Sequence, residues 1–469
     1  MLIVPPFYRL YKYTHSVCRY PLALGYLSGA IKKETDWDVL SYYADLYPKR
    51  ELWEGSYISY TGFGNYLNNL KDISKPIWQE IKSTILEYKP TVIGISVNSP
   101  SFASSCLVAK LAKEINKQTI VIAGGPHPTM VGTDVFSCPD IDVSVRGEGE
   151  NTIVELLNAI AANRGLDDIK GISYRKDGQI IQNAPREFIE DLDSLCFPHE
   201  SAPEVLKDYD RYPLSAFSSI FAIRGCLYSC SFCSSHKIWS QKIRFRSAEN
   251  VIREIKSLQK KGINLIRFED DAFGVNKEYI YKLCIALIKD CPGLQWVCQI
   301  HVKLVDKSTI ALMKAAGCVA IYIGIESGNN EILKKIRKNI TIEEALSACK
   351  IIKRQGIMLH TYFMGGFPEE TEKTLKQTIA AMKKTRSESL SYSIFTPYPG
   401  TEAFEFCKKN GLIDNNYDIS LIHYHRQTSY FCRNITPERF RKFTHKIQKM
   451  VDRKNLNWSL LKQRGINIS

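Results

Sequence analysis

The chain has 469 residues, 44% hydrophobic and 24% charged, which suits a globular protein of two or three cored domains and excludes a disordered one. Its 63 Lys and Arg against 49 Asp and Glu give a net charge of +14, which permits an anionic partner without requiring one. No window approaches ~18 uncharged apolar residues, and the first residues lack a charged region followed by a long apolar core, so neither a membrane span nor a secretory signal is expected.

Residues 1–165 alternate strand and helix. Apolar runs at 2–4, 37–43, 91–97, 119–123 and 141–145 read as strands, and helices are expected over 21–33, 76–88, 101–115 and beyond 149. An aromatic-rich insertion covers 53–66. This alternation predicts an α/β domain with a parallel, doubly wound, Rossmann-like sheet and a ligand at the strands' C-terminal ends. Three loops fall there. They are Ser96-Val97-Asn98-Ser99-Pro100-Ser101, Gly124-Gly125-Pro126-His127-Pro128 and Arg146-Gly147-Glu148-Gly149-Glu150. Their small residues let a backbone approach a bulky ligand, and their hydroxyls and amides can bond its polar tail. A sheet that merely packs would also show Gly-Gly turns.

Residues 166–215 read as a linker with a hairpin, 171–175 turning at Asp177-Gly178 into 179–181. Between 216 and 400 strand and helix repeat about six times, with strands expected at 220–223, 264–268, 296–300, 319–325, 357–363 and 391–395. Ser247 is a candidate N-cap, and Thr341 to Glu344 spells a capping box. Six parallel strands with outer helices suggest a partial (β/α)6 barrel whose chemistry lies at the strands' C-terminal mouth. Residues 401–469 are helical and basic, with apolar residues at helical spacing from Phe440 to Val451. That basic face is read as solvated rather than as a nucleic-acid surface.

The first barrel strand runs into Arg224-Gly225-Cys226-Leu227-Tyr228-Ser229-Cys230-Ser231-Phe232-Cys233. A loop of this spacing can aim three thiolates, the soft ligands of iron–sulfur clusters, and leaves one iron of a cubane open to a chelating small molecule. Fourteen cysteines in a cytoplasmic chain point the same way, to reduced thiols and metal chemistry rather than disulfides. The alternative is structural zinc, with His236 completing a Cys3His set around Cys226, Cys230 and Cys233.

The string Cys-x3-Cys-x-aromatic-Cys resembles the cluster loop of radical S-adenosylmethionine enzymes. The Gly-Gly-Pro-His and Gly-Glu-Gly-Glu loops resemble the cobalamin-binding domain that precedes many of those cores. Over roughly residues 1–405 the chain is similar to the cobalamin-dependent class. The resemblance implies a 4Fe-4S cluster on Cys226, Cys230 and Cys233. It implies S-adenosylmethionine held near Phe232, with Glu269, Asp270 and Asp271 taking its ammonium. Glu326 and Ser327 would take the ribose or the amino-acid end, and Gly365 and Gly366 would leave room for the adenine. Cobalamin is expected on Ser96, Asn98, Ser99, Gly124, Gly125, Pro126, His127, Gly147 and Glu148. No Asp-x-His-x-x-Gly string occurs, so no histidine is expected to replace the lower base on cobalt.

The implied reaction is methyl transfer to an unactivated carbon of a small molecule, driven by a 5′-deoxyadenosyl radical and an electron donor such as flavodoxin or ferredoxin. Two other activities share parts of the pattern. An oxidative cyclase acting on a porphyrin side chain would need the same cofactors. A transfer RNA methylthiotransferase would need a second cluster, for which Cys18, Cys106 and Cys138 are present without matching spacing. A non-enzymatic cobalamin or iron–sulfur sensor would not need the acidic and glycine-rich strand ends.

Overall fold

The computed structural model describes residues 1–47, 62–414, 417 and 429–462, so most of the aromatic-rich insertion expected over 53–66 lies outside the described residues. Two compact units result, a first spanning Met1–Phe217 and a second that begins at Ser218 and includes the C-terminal helix. No helix among the described residues is long and apolar enough to cross a membrane.

In the first unit, β1 (Leu2–Val4), β2 (Ser41–Tyr43), β3 (Val92–Ser96), β4 (Ile120–Gly124) and β5 (Val143–Val145) run parallel in the order β2-β1-β3-β4-β5. Successive side chains serve opposite layers, as the period of two requires. Ile93, Ile95, Val121 and Ala123 join Trp78 and Val108 in one core; Val92, Ile122, Val143 and Val145 join Leu24 and Leu156 in the other. Burial on both faces explains why these strands read as unbroken apolar runs.

The hairpin expected within the linker belongs to this sheet. β6 (Ile172–Lys176) and β7 (Gln179–Gln182) pair antiparallel, and β6 pairs antiparallel with β5. Asp177 and Gly178 both take positive φ, 50° and 76°, as a type I′ turn demands. The hairpin covers what would otherwise be the bare edge of β5. The Arg146 guanidinium ties it down by donating to the carbonyls of Ile172 (3.1 Å) and Asn183 (2.7 Å).

The second unit is a six-stranded parallel sheet, the open wall of the expected barrel. Its strands are β8 (Ser219–Ile220), β11 (Leu265–Phe268), β12 (Gln295–Gln299), β13 (Cys318–Glu326), β14 (Met358–Gly365) and β15 (Ser389–Ile394), adjacent in that order. Ser247 and Thr341 cap their helices as expected, the latter in a full capping box with Glu344. A two-residue ladder that periodicity does not reveal, β9 (Ile223–Arg224) against β10 (Arg244–Phe245), closes the base of the cysteine loop. The C-terminal helix Pro437–Lys462 buries Phe440, Ile447 and Val451. Its Asn455 amide bonds both backbone groups of Leu390, satisfying part of the free edge of β15.

Candidate functional site

In the second unit the cysteine loop is held from several sides. Gly225 has φ +115°, and a Cβ there would stand 2.0 Å from the Lys242 carbonyl oxygen, so the β9–β10 closure requires glycine. The Ser231 N–H donates to the Ile336 carbonyl and the Ser231 carbonyl accepts from Ala403 N–H, both at 3.0 Å. Phe232, between Cys230 and Cys233, lies 6.2 Å from Phe367, which joins this loop to the Gly365–Gly366 turn. Tyr228 stacks on His301 with ring centroids 3.5 Å apart and 18° between planes. The His301 ring is fixed at both nitrogens, Nε2 against the Lys338 carbonyl and Nδ1 against Lys303 N–H, each at 3.3 Å. Burial lowers its pKa to about 3, so the ring is neutral.

The sequence signal missed Lys338. Its ammonium is buried and donates to Glu326 Oε1 at 2.8 Å. Burial opposes that charge, but Glu326 and the Cys230 thiol outweigh it and hold the Lys338 pKa above its usual range. Burial likewise pushes the Cys230 thiol up to about 11, against the pull of Lys338. Glu326 sits where the β13–β14 register slips and has φ +70°, a costly conformation for a carboxylate residue. A Cβ on Gly324 would meet both Glu326 Oε1 (2.4 Å) and Lys338 Nζ (2.9 Å), so that glycine makes room for the ion pair. Buried ion pairs are poor sources of stability, so a strained one beside three thiols indicates a use other than folding.

The three acids after β11 are engaged by the protein itself. Glu269 accepts from Ser219 Oγ at 3.0 Å, and Asp271 accepts from Trp239 Nε1 at 2.8 Å. Asp270 Oδ1 accepts from the Ala222 (2.9 Å) and Ile223 N–H groups at the root of the cysteine loop. Burial raises the Asp270 pKa to about 8. Ser327 is fully buried against Thr378, whose Oγ1 lies 3.4 Å from the serine hydroxyl. Gly365 and Gly366 admit no side chain: a Cβ there would meet Tyr392 Oη and Phe440 Cζ, at 2.2 and 2.8 Å.

Among the described residues, no three of His, Cys, Asp and Glu converge to hold a single ion. The tetrahedral Cys3His set of the zinc reading is therefore not assembled among them. The same holds for Cys18, Cys106 and Cys138, which form no group of three.

In the first unit the three loops after β3, β4 and β5 come together. The Val97 N–H donates to Gly124 O (2.7 Å) and the His127 N–H to Val97 O (3.0 Å). Ser99 Oγ meets His127 Nδ1 at 3.0 Å, while the Gly147 N–H donates to Thr129 Oγ1 at 3.0 Å. Asn98 caps the turn through Ser101, Ser96 pairs with Gly124, and Pro126 opens the short helix Pro126–Val131. Burial lowers His127 to about 4, leaving a neutral ring spent on Ser99. Glu148 turns its carboxylate to the Ile189 N–H, 2.7 Å away. Gly147 has φ +78° and nothing within 4 Å of where a Cβ would stand, so open space adjoins the backbone of this loop.

The radical SAM superfamily model matches residues 220–382, and the B12 binding domain model matches residues 66–157. The chain is 30% identical over 417 residues to the uncharacterized methyltransferase PH0819 of Pyrococcus horikoshii, covering 88% of this chain and 84% of that protein. It is 27% identical over 339 residues to the anaerobic magnesium-protoporphyrin IX monomethyl ester cyclase of Rubrivivax gelatinosus, covering 70% and 60%. The fold is that of the radical S-adenosylmethionine methyltransferase TsrM of Kitasatospora setae, with a TM-score of 0.69 at 17% identity over 87% of this chain and 75% of that one. The cysteine loop with its ion pair, the glycine-lined loops and these matches together place the chain among the cobalamin-dependent radical S-adenosylmethionine enzymes, whose cofactors are a 4Fe-4S cluster, S-adenosylmethionine and cobalamin.

Proposed function

We propose that the chain transfers a methyl group to an unactivated carbon of a small molecule. The observation that carries this is the buried Glu326–Lys338 pair beside the cysteine loop, in a chain that also bears the glycine-lined loops of a B12 domain. The likeness to PH0819 over most of both chains favours methyl transfer.

Cys226, Cys230 and Cys233 would hold the cluster, and the loops at Ser96, Asn98, Ser99, Gly124, Gly125, Pro126, His127, Gly147 and Glu148 would hold cobalamin. Bound there, these groups supply reductive cleavage of a sulfonium and a transferable methyl group. Glu326 and Lys338 would offer opposite charges to the amino-acid end of S-adenosylmethionine, and Phe232 and the Gly366 backbone would help to hold it. Glu269, Asp270, Asp271 and Ser327 brace the surrounding loops, and Gly365 gives Tyr392 its place. The one electron needed comes from a low-potential donor of the flavodoxin or ferredoxin type in the cytoplasm, and nucleic acid has no part.

Oxidative cyclisation is the second reading, favoured by the likeness to the Rubrivivax cyclase. One measurement tests the cofactor that both readings share, and a second separates them. Cobalt content after anaerobic purification with cobalamin supplied should be about one per chain; no cobalt, with S-adenosylmethionine still cleaved, sinks the cobalamin assignment. Product mass should rise by one methylene, whereas a loss of hydrogen or a gain of oxygen selects the cyclase.

A further inference from the structure

The sheet of the second unit has two unlike faces. Ile321, Ile323, Leu359 and Phe363 go to a fully buried face, while Tyr322, Gly324, His360 and Tyr362 at alternate positions of the same strands stay half-buried. Across that second face the register sets Gln299 beside Tyr322, Tyr322 beside His360 and Tyr362 beside Ser391. The three rings form one aromatic cluster, with His360 inclined 40° to Tyr322 and standing nearly edge-on, at 61°, to Tyr362. Centroids are 5.1 Å apart for Tyr322–His360, 4.6 Å for His360–Tyr362 and 6.2 Å for Tyr322–Tyr362, the two tyrosines lying only 26° from parallel. His360 cannot swing away, because Nδ1 meets Ser389 Oγ at 2.6 Å and Nε2 meets Ser391 Oγ at 2.9 Å. Its ring is neutral, since burial lowers its pKa to about 4.

This shelf adjoins the candidate site on the same face. Gly324 stands two residues above Tyr322 and pairs with Tyr362 in register, and the Glu326–Lys338 pair leans over it. A small apolar cluster, Val297 and Ala320 with Leu265 and Met358, floors the shelf on its other side. Aromatic rings receive other rings in offset or edge-to-face geometry, and an aliphatic chain gains nothing comparable from them.

We infer that Tyr322, His360 and Tyr362 determine substrate specificity and that they select a flat, unsaturated ring system bearing neutral hydrogen-bonding groups. This rests on the reading that the substrate reacts at the mouth of the second unit. The inclined rings give a flat substrate faces and edges to pack against in offset or edge-to-face geometry, and the serine and tyrosine hydroxyls and Gln299 give its polar substituents partners.

The test uses the full chain with its cluster reconstituted and two probes with one skeleton, 2-naphthol and its saturated counterpart decahydro-2-naphthol, titrated by calorimetry. The flat probe should bind roughly tenfold more tightly. That preference should vanish in Tyr322→Leu/Tyr362→Leu, and should persist in Tyr322→Phe and in Tyr281→Leu, which alters an exposed ring 59% accessible to solvent. Equal affinities, no measurable binding of either probe up to millimolar concentration, or a preference surviving the double substitution would overturn the inference. Cleavage of S-adenosylmethionine to 5′-deoxyadenosine in the same preparations reports the enzyme reading separately, so either can fail while the other stands.

Discussion

The two candidate sites of this chain are built from opposite materials. In the first unit the loops are joined by neutral groups, Ser99 on His127 and Thr129 on the Gly147 N–H, and Glu148 turns its charge to a backbone amide. In the second unit charge is concentrated and buried in the Glu326–Lys338 pair beside the cysteine loop, and the buried Asp270 carboxyl takes the amides at that loop's root. Accommodating a bulky ligand calls for space and close backbone approach, which glycine at positive φ provides. Binding an iron–sulfur cluster and a zwitterion calls for fixed charges whose cost the protein must carry in advance. Substitutions should therefore act differently in the two units.

The sharpest separation comes from Cys230→Ala. Iron content and S-adenosylmethionine cleavage should be lost while cobalt content stays at the wild-type level, measured by elemental analysis on one preparation. A parallel loss of cobalt would mean that the two sites do not form independently.

Next in size is Lys338→Met. It leaves the Glu326 carboxylate buried without its partner, a loss of about 3–5 kcal/mol. Adding Glu326→Gln should restore most of that stability in urea unfolding, yet S-adenosylmethionine cleavage should stay low. Restored cleavage in the double variant would make the pair a folding device only.

Asp270 gives a pH signature that the neutral loops lack. Its folded pKa, about 8, lies above the ordinary carboxyl value near 3.8, so the folded state holds a proton that the unfolded state releases. Stability from this group is full below about pH 4 and falls as pH rises toward 8, by at most ~1.4 kcal/mol per unit. Asp270→Asn keeps an oxygen for the Ala222 and Ile223 N–H groups and removes the titration. Urea midpoints between pH 5 and 8 should slope less in that variant; an unchanged slope would place the proton elsewhere.

Much of this was legible in the residue pattern, for identifiable reasons. Strands buried on both faces have no polar alternation to confuse them, and Asp177-Gly178 can make little but a tight hairpin turn. The acids after β11 were legible as a cluster but not in their protein partners, because sequence does not show that the loop root at Ala222 and Ile223 would turn its amides toward Asp270. Lys338 was not legible. It follows the short helix Asn330–Lys335 between Arg337 and Asn339, both at positive φ, and only the three-dimensional return of that turn brings it to Glu326. The packing of Gly365 and Gly366 was hidden for a related reason: the neighbours a Cβ there would meet, Tyr392 and Phe440, lie 27 and 74 residues further along.

The smallest expected effect tests the first unit by a matched pair of glycines. Gly147 has φ +78° and Gly178 has φ +76°, and neither has an atom within 4 Å of a would-be Cβ. Alanine at either position meets only backbone strain, about 1–2 kcal/mol for a left-handed residue. Gly147→Ala and Gly178→Ala should thus lose similar stability in thermal or urea unfolding. They should part company in cobalt content and in the visible spectrum of the purified chain, because only Gly147 belongs to the loops proposed to hold cobalamin. Equal cobalt retention would mean that the ligand does not approach Gly147, and the cradle would have to be sought at Gly125, where the Val97 backbone already stands 3.1 Å from a would-be Cβ.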